Sequence, residues 1–226
     1  MNMPKIIIPL LLTAILAIPV AGYAFTVSYS ADPIDAVVVD AKTKQPIENV
    51  IVVAHWVLEG GLHVDRVGEL KILETTTNKA GRFHFNGWGP IRHWGNSRLT
   101  YMDPELILFK SGYRYLRLTN RATPEAIGGK ATPLRRSDWN GKTIALERFE
   151  GRLEEYAKHL SFINTSLDFI DENCNWKKVP RIMLALQIQN DVFWRSGITR
   201  TPYSLSYLTD TKECGSVKEY FEKFDQ

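Results

Sequence analysis

The strongest constraint on the fold is the hydrophobic pattern of the stretch VVVDAKTKQPIENVIVVAHW, which spans residues 37–56. Two apolar runs flank a polar turn that contains Pro46, so the stretch predicts two strands that fold back on each other as a hairpin. The second run continues to Leu58, and both of its alternating faces are mostly apolar. Such a pattern is typical of a strand that is covered on both faces. The sequence therefore predicts a strand in the middle of a layered structure.

Further apolar runs raise the count to about seven short strands between residues 35 and 149. In RFHFNGW, residues 82–88, the two phenylalanines alternate with polar residues, which indicates a half-buried antiparallel strand. The other runs lie at residues 35–41, 50–58, 70–77, 105–110, 115–120 and 142–149. Seven short strands separated by turn signals favour an antiparallel β-sandwich. The predicted core residues are Val38, Val52, Phe83, Phe85, Leu106 and Leu108.

Two turn motifs in this region resemble the signatures of a known family. The first is VVD, TKQPI and VIV at residues 38–40, 43–47 and 50–52, and the second is TNKAGRF at residues 77–83. Together they resemble the carboxypeptidase regulatory-like domain, an accessory of zinc carboxypeptidases. The resemblance implies a seven-stranded, transthyretin-like sandwich over residues 33–149. Lys44, Asn49 and Asn78 replace the usual Gly, Gly and Asp, and each is a residue that a polar turn can accommodate.

From about residue 150 to residue 226 the pattern becomes helical. Apolar residues recur at spacings of three and four, which predicts an amphipathic helix of about five turns; they are Leu153, Tyr156, Leu160, Ile163, Leu167 and Ile170. A second helix is predicted from Pro180 to Trp194, and Ser216 with Glu219 forms a capping box for a short third one. Helices docked on one sheet face would cover the second apolar face of the strand at residues 50–58. The chain also resembles exported bacterial proteins that join this domain to a helical tail.

The first 24 residues predict a secretory signal peptide. Lys5 precedes an almost wholly apolar run, and Gly22 and Ala24 form a small-x-small cleavage site. We therefore expect export to the periplasm with cleavage after Ala24. The alternative is a retained membrane anchor at residues 6–25, because that run is about as long as a bilayer span requires.

The chain has two cysteines, Cys174 and Cys214. An even number of cysteines in an exported protein predicts a disulfide bond between them. Two free buried thiols are the alternative. Metal binding is disfavoured because no histidine lies near either cysteine in the sequence.

Charge and motifs argue against nucleic-acid binding and against familiar catalytic sites. The chain has 28 basic and 25 acidic residues, and its densest basic cluster is the pair Arg135-Arg136, so no polyanion partner is expected. None of the 5 histidines is followed at the third place by Glu, and there is no nucleophile elbow or phosphate loop. We therefore expect a non-enzymatic protein without metal or cofactor. The alternative is a hydrolase whose His63, Asp65 and His93 are assembled across loops.

The loop at residues 88–104 carries the remaining functional signal. The candidate binding residues in or beside this aromatic insert are Trp56, Trp88, His93, Trp94 and Tyr101. Tryptophans six residues apart in a Gly/Pro-rich loop predict a stacking platform for an envelope protein or glycan. The alternatives are that these rings plug the end of the sandwich, or that the protein is purely structural. Trp176 and Trp194 are expected to pack helices against the sheet.

Overall fold

The computed structural model describes residues 26–63, 65–121 and 133–224. The predicted signal peptide at residues 1–24, with its cleavage site, lies outside this described part. The alternative anchor at residues 6–25 lies outside it as well. Within the described part, no helix is long and apolar enough to span a membrane. Export and cleavage therefore stay predictions.

The described residues form eleven strands followed by four α-helices. The strands are β1 (Thr26–Ala31), β2 (Ile34–Asp40), β3 (Ile51–Gly60), β4 (Asp65–Thr76), β5 (Arg82–Phe85), β6 (Trp88–Trp94), β7 (Arg98–Leu99), β8 (Glu105–Phe109), β9 (Leu116–Leu118), β10 (Leu134–Arg135) and β11 (Thr143–Leu146). The helices are α1 (Leu153–Ser161), α2 (Ile163–Ser166), α3 (Pro180–Arg195) and α4 (Val217–Phe221). Short 3-10 helices occupy Glu172–Lys178, Leu205–Tyr207 and Glu222–Phe224.

A five-stranded sheet lies at the centre of the molecule, with the order β4-β3-β8-β9 and with β7 paired to β3. All of its pairs are antiparallel. Strand β3 pairs with β4 along its whole length and with β8 on its other side. The two apolar faces of β3 are explained by the layers on either side of the sheet, because Val52, Ala54 and Trp56 pack in the sandwich core and Val53 packs against the helical layer.

Two three-stranded sheets form the opposite layer of the sandwich, with the orders β10-β1-β6 and β11-β2-β5. The chain passes from β1 into β2 and from β5 into β6 through short connections, so each small sheet continues into the other. Residues of both small sheets and of one face of the central sheet share a single hydrophobic core. The described chain is therefore a β-sandwich.

The observed strands differ from the predicted seven antiparallel strands in number and in direction. β1 lies before residue 33, and β6 lies in the segment predicted as a loop, where these two strands pair with each other. β1 also pairs with β10, and β2 with β11, in parallel. Strand direction depends on the route of the connecting chain, which the local hydrophobic period does not encode.

The sandwich core contains all six residues predicted for it. Val38, Val52, Leu106 and Leu108 are fully buried, and the two phenylalanines of β5 are no more than 4% exposed. Burying an aliphatic or aromatic side chain of this size contributes about 1.5–3 kcal/mol. The alternation that placed these residues on one face is therefore confirmed.

A layer of helices covers the other face of the central sheet. Val53, Ile107 and Phe109, which point away from the sandwich core, pack with apolar residues of α1, α3 and α4 in a second core. The prediction that helices dock on the sheet is confirmed. The predicted five-turn helix is shorter than expected, since α1 ends at Ser161. The predicted apolar residues beyond that point, Ile163, Leu167 and Ile170, are nevertheless buried, in α2 and in the turns that follow it.

The turn residues of the two sequence motifs, at residues 38–52 and 77–83, have identifiable structural roles. A Cβ atom at Gly81 (φ +70°) would lie 2.4 Å from the carbonyl oxygen of Val38, so only glycine fits there. Lys44 and Asn49 adopt positive φ values of 59° and 58°, a backbone conformation that glycine adopts most readily.

The predicted hairpin of β2 and β3 is wrong, because β2 pairs with β5 and β11 whereas β3 pairs with β4, β7 and β8 in the other layer. β4 and β5 likewise belong to different sheets, so both motifs are turns that cross between the layers. Thr77 joins the two turns, because its hydroxyl accepts from the Val50 N–H at 2.8 Å and donates to the carbonyl oxygen of Ile47 in the first motif.

The predicted disulfide bond is confirmed. Cys174 and Cys214 are bonded, with their Cα atoms 5.4 Å apart. The bond closes a segment of 40 residues, and in the chain-entropy treatment a loop of this length contributes about 4 kcal/mol of stability. It ties the chain before α3 to the turn before α4, so the helical layer is closed upon itself.

Candidate functional site

The aromatic insert does not present its tryptophans as one surface. Trp56 is 1% exposed in the sandwich core, and the half-buried Trp88 packs edge-on against it with ring centroids 5.1 Å apart. Trp94, at the other end of β6, is 65% exposed. The pairing of β1 with β6 contains a register shift, so residues at the two ends of β6 do not follow one alternation. Trp56 and Trp88 thus plug the sandwich, and Trp94 is left as a binding candidate.

The other two residues predicted in the insert lie beside this strand. His93 is half-buried, and its Nε2 atom lies 2.7 Å from the hydroxyl of Ser97. Tyr101 is half-buried in the turn that precedes β8. A binding role for His93, Trp94 and Tyr101 stays a prediction.

The three residues of the hydrolase alternative lie on separate elements. His63 is exposed in the turn between β3 and β4, Asp65 begins β4, and His93 belongs to β6. No hydrogen bond or ion pair joins these side chains within the described part of the chain. In that same part, no three His, Cys, Asp or Glu side chains are arranged to hold a metal ion.

A polar cavity that sequence reasoning missed lies between the central sheet and the helical layer. We call it the interlayer cavity; it has a volume of about 170 Å³. β3, β8 and β9 supply one side of it, and the segment at residues 165–168 supplies the other. Its wall includes His55, Arg66, Asp103, Glu105, Arg117 and Asp168. A cluster of buried ionisable groups beside a cavity is a common mark of a functional site.

His55 lies at the centre of this cluster and is held by two carboxylates. It is 3% exposed, its Nδ1 atom lies 3.1 Å from Glu69, and its Nε2 atom lies 3.2 Å from Glu105. Burial opposes the charged imidazolium, but the two carboxylates outweigh it and raise the pKa of His55 to about 9. At neutral pH this histidine is therefore a cation and is not available as a general base.

Two arginines of the central sheet complete the cluster. Arg117 forms a bidentate pair with Glu105, with both N–O distances 2.6 Å. Burial alone would raise the pKa of Glu105, but the contacts with His55 and Arg117 outweigh burial and lower it. Arg66 donates to Glu69 at 2.9 Å and also pairs with Asp168 at 3.2 Å. The Arg66–Asp168 pair links the sheet to the helical layer.

Asp103 has a buried carboxyl oxygen, Oδ2, without a hydrogen-bond partner among the described residues. The side chain is 1% exposed, and its Oδ1 atom accepts from the Val57 N–H at 3.1 Å. Burial raises the pKa of Asp103 well above its usual range, although Val57, His55 and Arg135 oppose this. The neutral acid is thereby favoured, and it can both donate and accept.

A second polar site lies on the outer side of the helical layer. We call it the α3 cleft; it has a volume of about 180 Å³ and is lined by Gln187, Asn190, Asp191, Trp194, Ser204 and Ser206. Trp194 is 74% exposed, whereas Asn190 is 4% exposed. The expected packing of Trp194 against the sheet is therefore wrong. Trp176, 3% exposed, does pack in the helical layer as expected.

Two side-chain amides in the α3 cleft use their nitrogen but not their oxygen in hydrogen bonds to described residues. Asn190 donates from Nδ2 to the carbonyl oxygen of Pro202 at 2.9 Å, and Gln187 donates from Nε2 to Asp191 at 3.0 Å. Their side-chain oxygens are buried and have no hydrogen-bond partner among the described residues. Each amide is thus fixed by its nitrogen, while its oxygen remains able to accept a hydrogen bond.

A sequence signal for the α3 cleft exists in retrospect. Gln187, Asn190, Asp191 and Trp194 recur at spacings of three and four, so they share one polar face of α3. The signal for the interlayer cavity is weaker, because its residues come from distant segments that only the sheet brings together.

Comparisons with known proteins leave the family open. No protein-family model and no curated protein matches the chain. Among solved structures, it is similar to a streptococcal ancillary pilin (11% identity, 55% of this chain and 31% of that chain covered, TM-score 0.27). It is also similar to the C-terminal domain of the shaft pilin spaA from Lactobacillus rhamnosus GG (11% identity, 55% and 99% covered, TM-score 0.24). A third match is 3-chlorocatechol 1,2-dioxygenase from Rhodococcus opacus 1CP (15% identity, 54% and 61% covered, TM-score 0.28).

These likenesses are too distant to carry an argument about function. The fold itself defines the class of protein: a β-sandwich with a disulfide-closed helical layer docked on one of its sheets.

Proposed function

We propose that this chain is an exported, non-catalytic module that binds an envelope glycan in the α3 cleft. The sequence suggested either a protein or a glycan as the partner and placed the site in the aromatic insert. The glycan is the partner we favour, and the α3 cleft is the site we favour.

One observation carries the proposal: the exposed ring of Trp194 lies beside buried amide oxygens that lack a hydrogen-bond partner among the described residues. A tryptophan face offers a flat apolar surface with one polar atom at its edge. Sugar rings present C–H groups on their faces and hydroxyl donors around their rims. The oxygens of Gln187 and Asn190 can accept from such hydroxyls. The hydroxyls of Ser204 and Ser206 bond to each other at 2.8 Å, which leaves one donor and free acceptor capacity between them.

Two further features support an exported and non-catalytic role. The Cys174–Cys214 bond is of the kind that persists in oxidising compartments such as the periplasm. His55, the histidine of the charged cluster, is held as a cation by Glu69 and Glu105 rather than poised as a base. The sandwich is proposed to be of the carboxypeptidase regulatory-like kind, which is supported by the roles of Thr77 and Gly81 in the two motif turns.

The test uses purified peptidoglycan sacculi as the probe, with soluble N-acetylglucosamine oligomers as competitors. We expect the protein to sediment with sacculi and Trp194→Ala to weaken the apparent affinity at least tenfold, about 1.4 kcal/mol. The matched control is Trp94→Ala, which removes an exposed tryptophan from the other site and should leave the affinity unchanged.

The outcome that contradicts the proposal is retention of binding by Trp194→Ala, and loss in Trp94→Ala would assign binding to the aromatic insert instead. Hydrolysis of a peptide by the wild-type protein that stops on chelation would overturn the non-enzymatic role altogether.

A further inference from the structure

We propose that the interlayer cavity is a second binding site, independent of the α3 cleft, that takes one small uncharged molecule bearing hydroxyl groups. Four features of the cavity lead to this: a buried carboxyl oxygen without a partner among the described residues, the pairing of all three cations of the wall with carboxylates, a set of hydroxyl groups, and the available volume.

The first feature is the Oδ2 atom of Asp103. The side chain is 1% exposed and lines the cavity, and the oxygen has no hydrogen-bond partner within the described part of the chain. Leaving a buried polar atom unpaired costs about 1–3 kcal/mol, so native proteins generally supply a partner. A molecule in the cavity that hydrogen-bonds to Oδ2 would remove this cost.

The second feature is the charge of the wall, which disfavours ions of either sign. Its three cations are already engaged: His55 and Arg117 pair with Glu105, and Arg66 pairs with Glu69 and Asp168. An anion would have to displace a carboxylate from one of these cations and would also lie beside the carboxylate of Glu59. A cation would lie beside the imidazolium and the two guanidinium groups. The cavity therefore favours an uncharged molecule.

The third feature is the set of hydroxyl groups that complete the wall, which belong to Thr100, Thr119, Thr165 and Ser166. Each hydroxyl can donate one hydrogen bond and accept two. A ligand that carries several hydroxyls of its own can match this mixed donor and acceptor surface, whereas an apolar ligand cannot.

The volume sets the size of the occupant. The cavity of about 170 Å³ is comparable with an engineered cavity of about 150 Å³ that holds benzene, so roughly six to ten non-hydrogen atoms fit. Glycerol and the five-carbon polyol xylitol lie within this range. An oligosaccharide does not, which separates this site from the α3 cleft.

The placement of the site has a consequence for stability. Thr165, Ser166 and Asp168 belong to the helical layer, and the rest of the wall belongs to the sheet. A molecule bound between the layers binds only the folded state, so occupancy should raise the melting temperature.

The test is a calorimetric titration with xylitol, performed on the Trp194→Ala variant so that binding in the α3 cleft cannot contribute. We expect one site with a Kd of about 1 mM or tighter, and no binding of xylonate, the matched charged probe. Asp103→Ala, which removes both carboxyl oxygens, should weaken xylitol binding at least tenfold. Thr165→Val, at an exposed position of α2, gives a second variant that is independent of the buried carboxyl and should also weaken binding.

Melting curves at millimolar xylitol provide a second readout, with the same variants correcting for the general effect of polyols on stability. Absence of saturable binding by glycerol and xylitol would overturn the proposal, since the cavity would then hold water only. Equal binding of xylonate would also overturn it, and so would xylitol affinity that neither variant changes.

Discussion

Two tryptophans of strand β6 occupy different environments although they belong to one short strand. Trp88 packs edge-on against the buried Trp56 with ring centroids 5.1 Å apart, and Trp94 is 65% exposed. The ring of Trp88 contributes to the sandwich core, whereas truncation of the exposed Trp94 should change the stability of the protein very little.

Single alanine substitutions should separate these two environments. Trp88→Ala should lower the free energy of unfolding by about 3 kcal/mol, because it removes a large ring from the core. Trp94→Ala should change it by no more than about 0.5 kcal/mol, as is usual for surface positions. Chemical denaturation of both variants measures this, and equal destabilisation would show that Trp88 is not a core plug.

His55 makes the stability of the protein depend on pH. Its pKa is raised from 6.5 to about 9 in the folded protein by Glu105 and Glu69, so the folded state holds the proton more tightly than the unfolded chain. The resulting stabilisation is fully present below pH 6.5 and is lost as the pH rises through 9.

The variant His55→Gln, which cannot carry this charge, isolates the effect. The stability advantage of the wild type over the variant should shrink by about 3 kcal/mol between pH 6 and pH 10. Denaturant unfolding of both proteins across this range measures the difference. An advantage that stays constant with pH would mean that His55 is not held as a cation.

Sequence reasoning identified residues whose role depends on local pattern and missed those whose role depends on distant partners. The apolar run around Val52 and the alternation around Phe83 predict core positions, and both residues are buried. Trp194 is predicted to pack against the sheet but is 74% exposed. The unpaired oxygen of Asp103 could not be predicted, since it depends on neighbours from β3 and from the helical layer.

At the scale of elements, one side chain of the sheet fixes the start of the longest helix. Glu74 of β4 accepts from the backbone N–H groups of Arg181 and Ile182, both at 2.9 Å. The residue that precedes α3, Val179, has no side-chain cap of its own. Glu74 therefore satisfies donors that the first turn of a helix leaves free, and it joins the two layers.

Removal of this cap should destabilise the protein measurably. Glu74→Ala should lower the free energy of unfolding by about 1–2 kcal/mol, as loss of a helix cap does. Glu48→Ala, in an exposed turn, is the matched control and should have little effect. The two variants are compared by denaturant unfolding, and the cap would be refuted if they behaved alike.

Most long elements could be predicted from the sequence, and most short pairings could not. β3, β5 and α3 carry clear hydrophobic periods of two or of three and four residues. β7 and β10 are two residues long, too short for any period. β6 contains Gly89 and Pro90, which favour a loop, yet it pairs with β1, and the ring of Trp88 packs against the sandwich core.

At the scale of the whole molecule, the central sheet organises both candidate sites. One of its faces closes the sandwich core, and the other receives the helices. The second face carries the polar residues His55 and Glu105 beside apolar residues that pack against the helices. The interlayer cavity lies where these two polar residues interrupt the apolar contact between the layers. The α3 cleft lies on the outside of the same helical layer, which the disulfide bond closes upon itself.

The central claim is that this molecule binds an envelope glycan through α3, and it is tested most directly by NMR. The disulfide-bonded protein, labelled with nitrogen-15, is titrated with soluble peptidoglycan fragments. We predict saturable shifts of the Trp194 indole N–H and the Asn190 side-chain amide, with the resonances of β6 around Trp94 unchanged. Shifts confined to β6, or no saturable shift anywhere, would contradict the account.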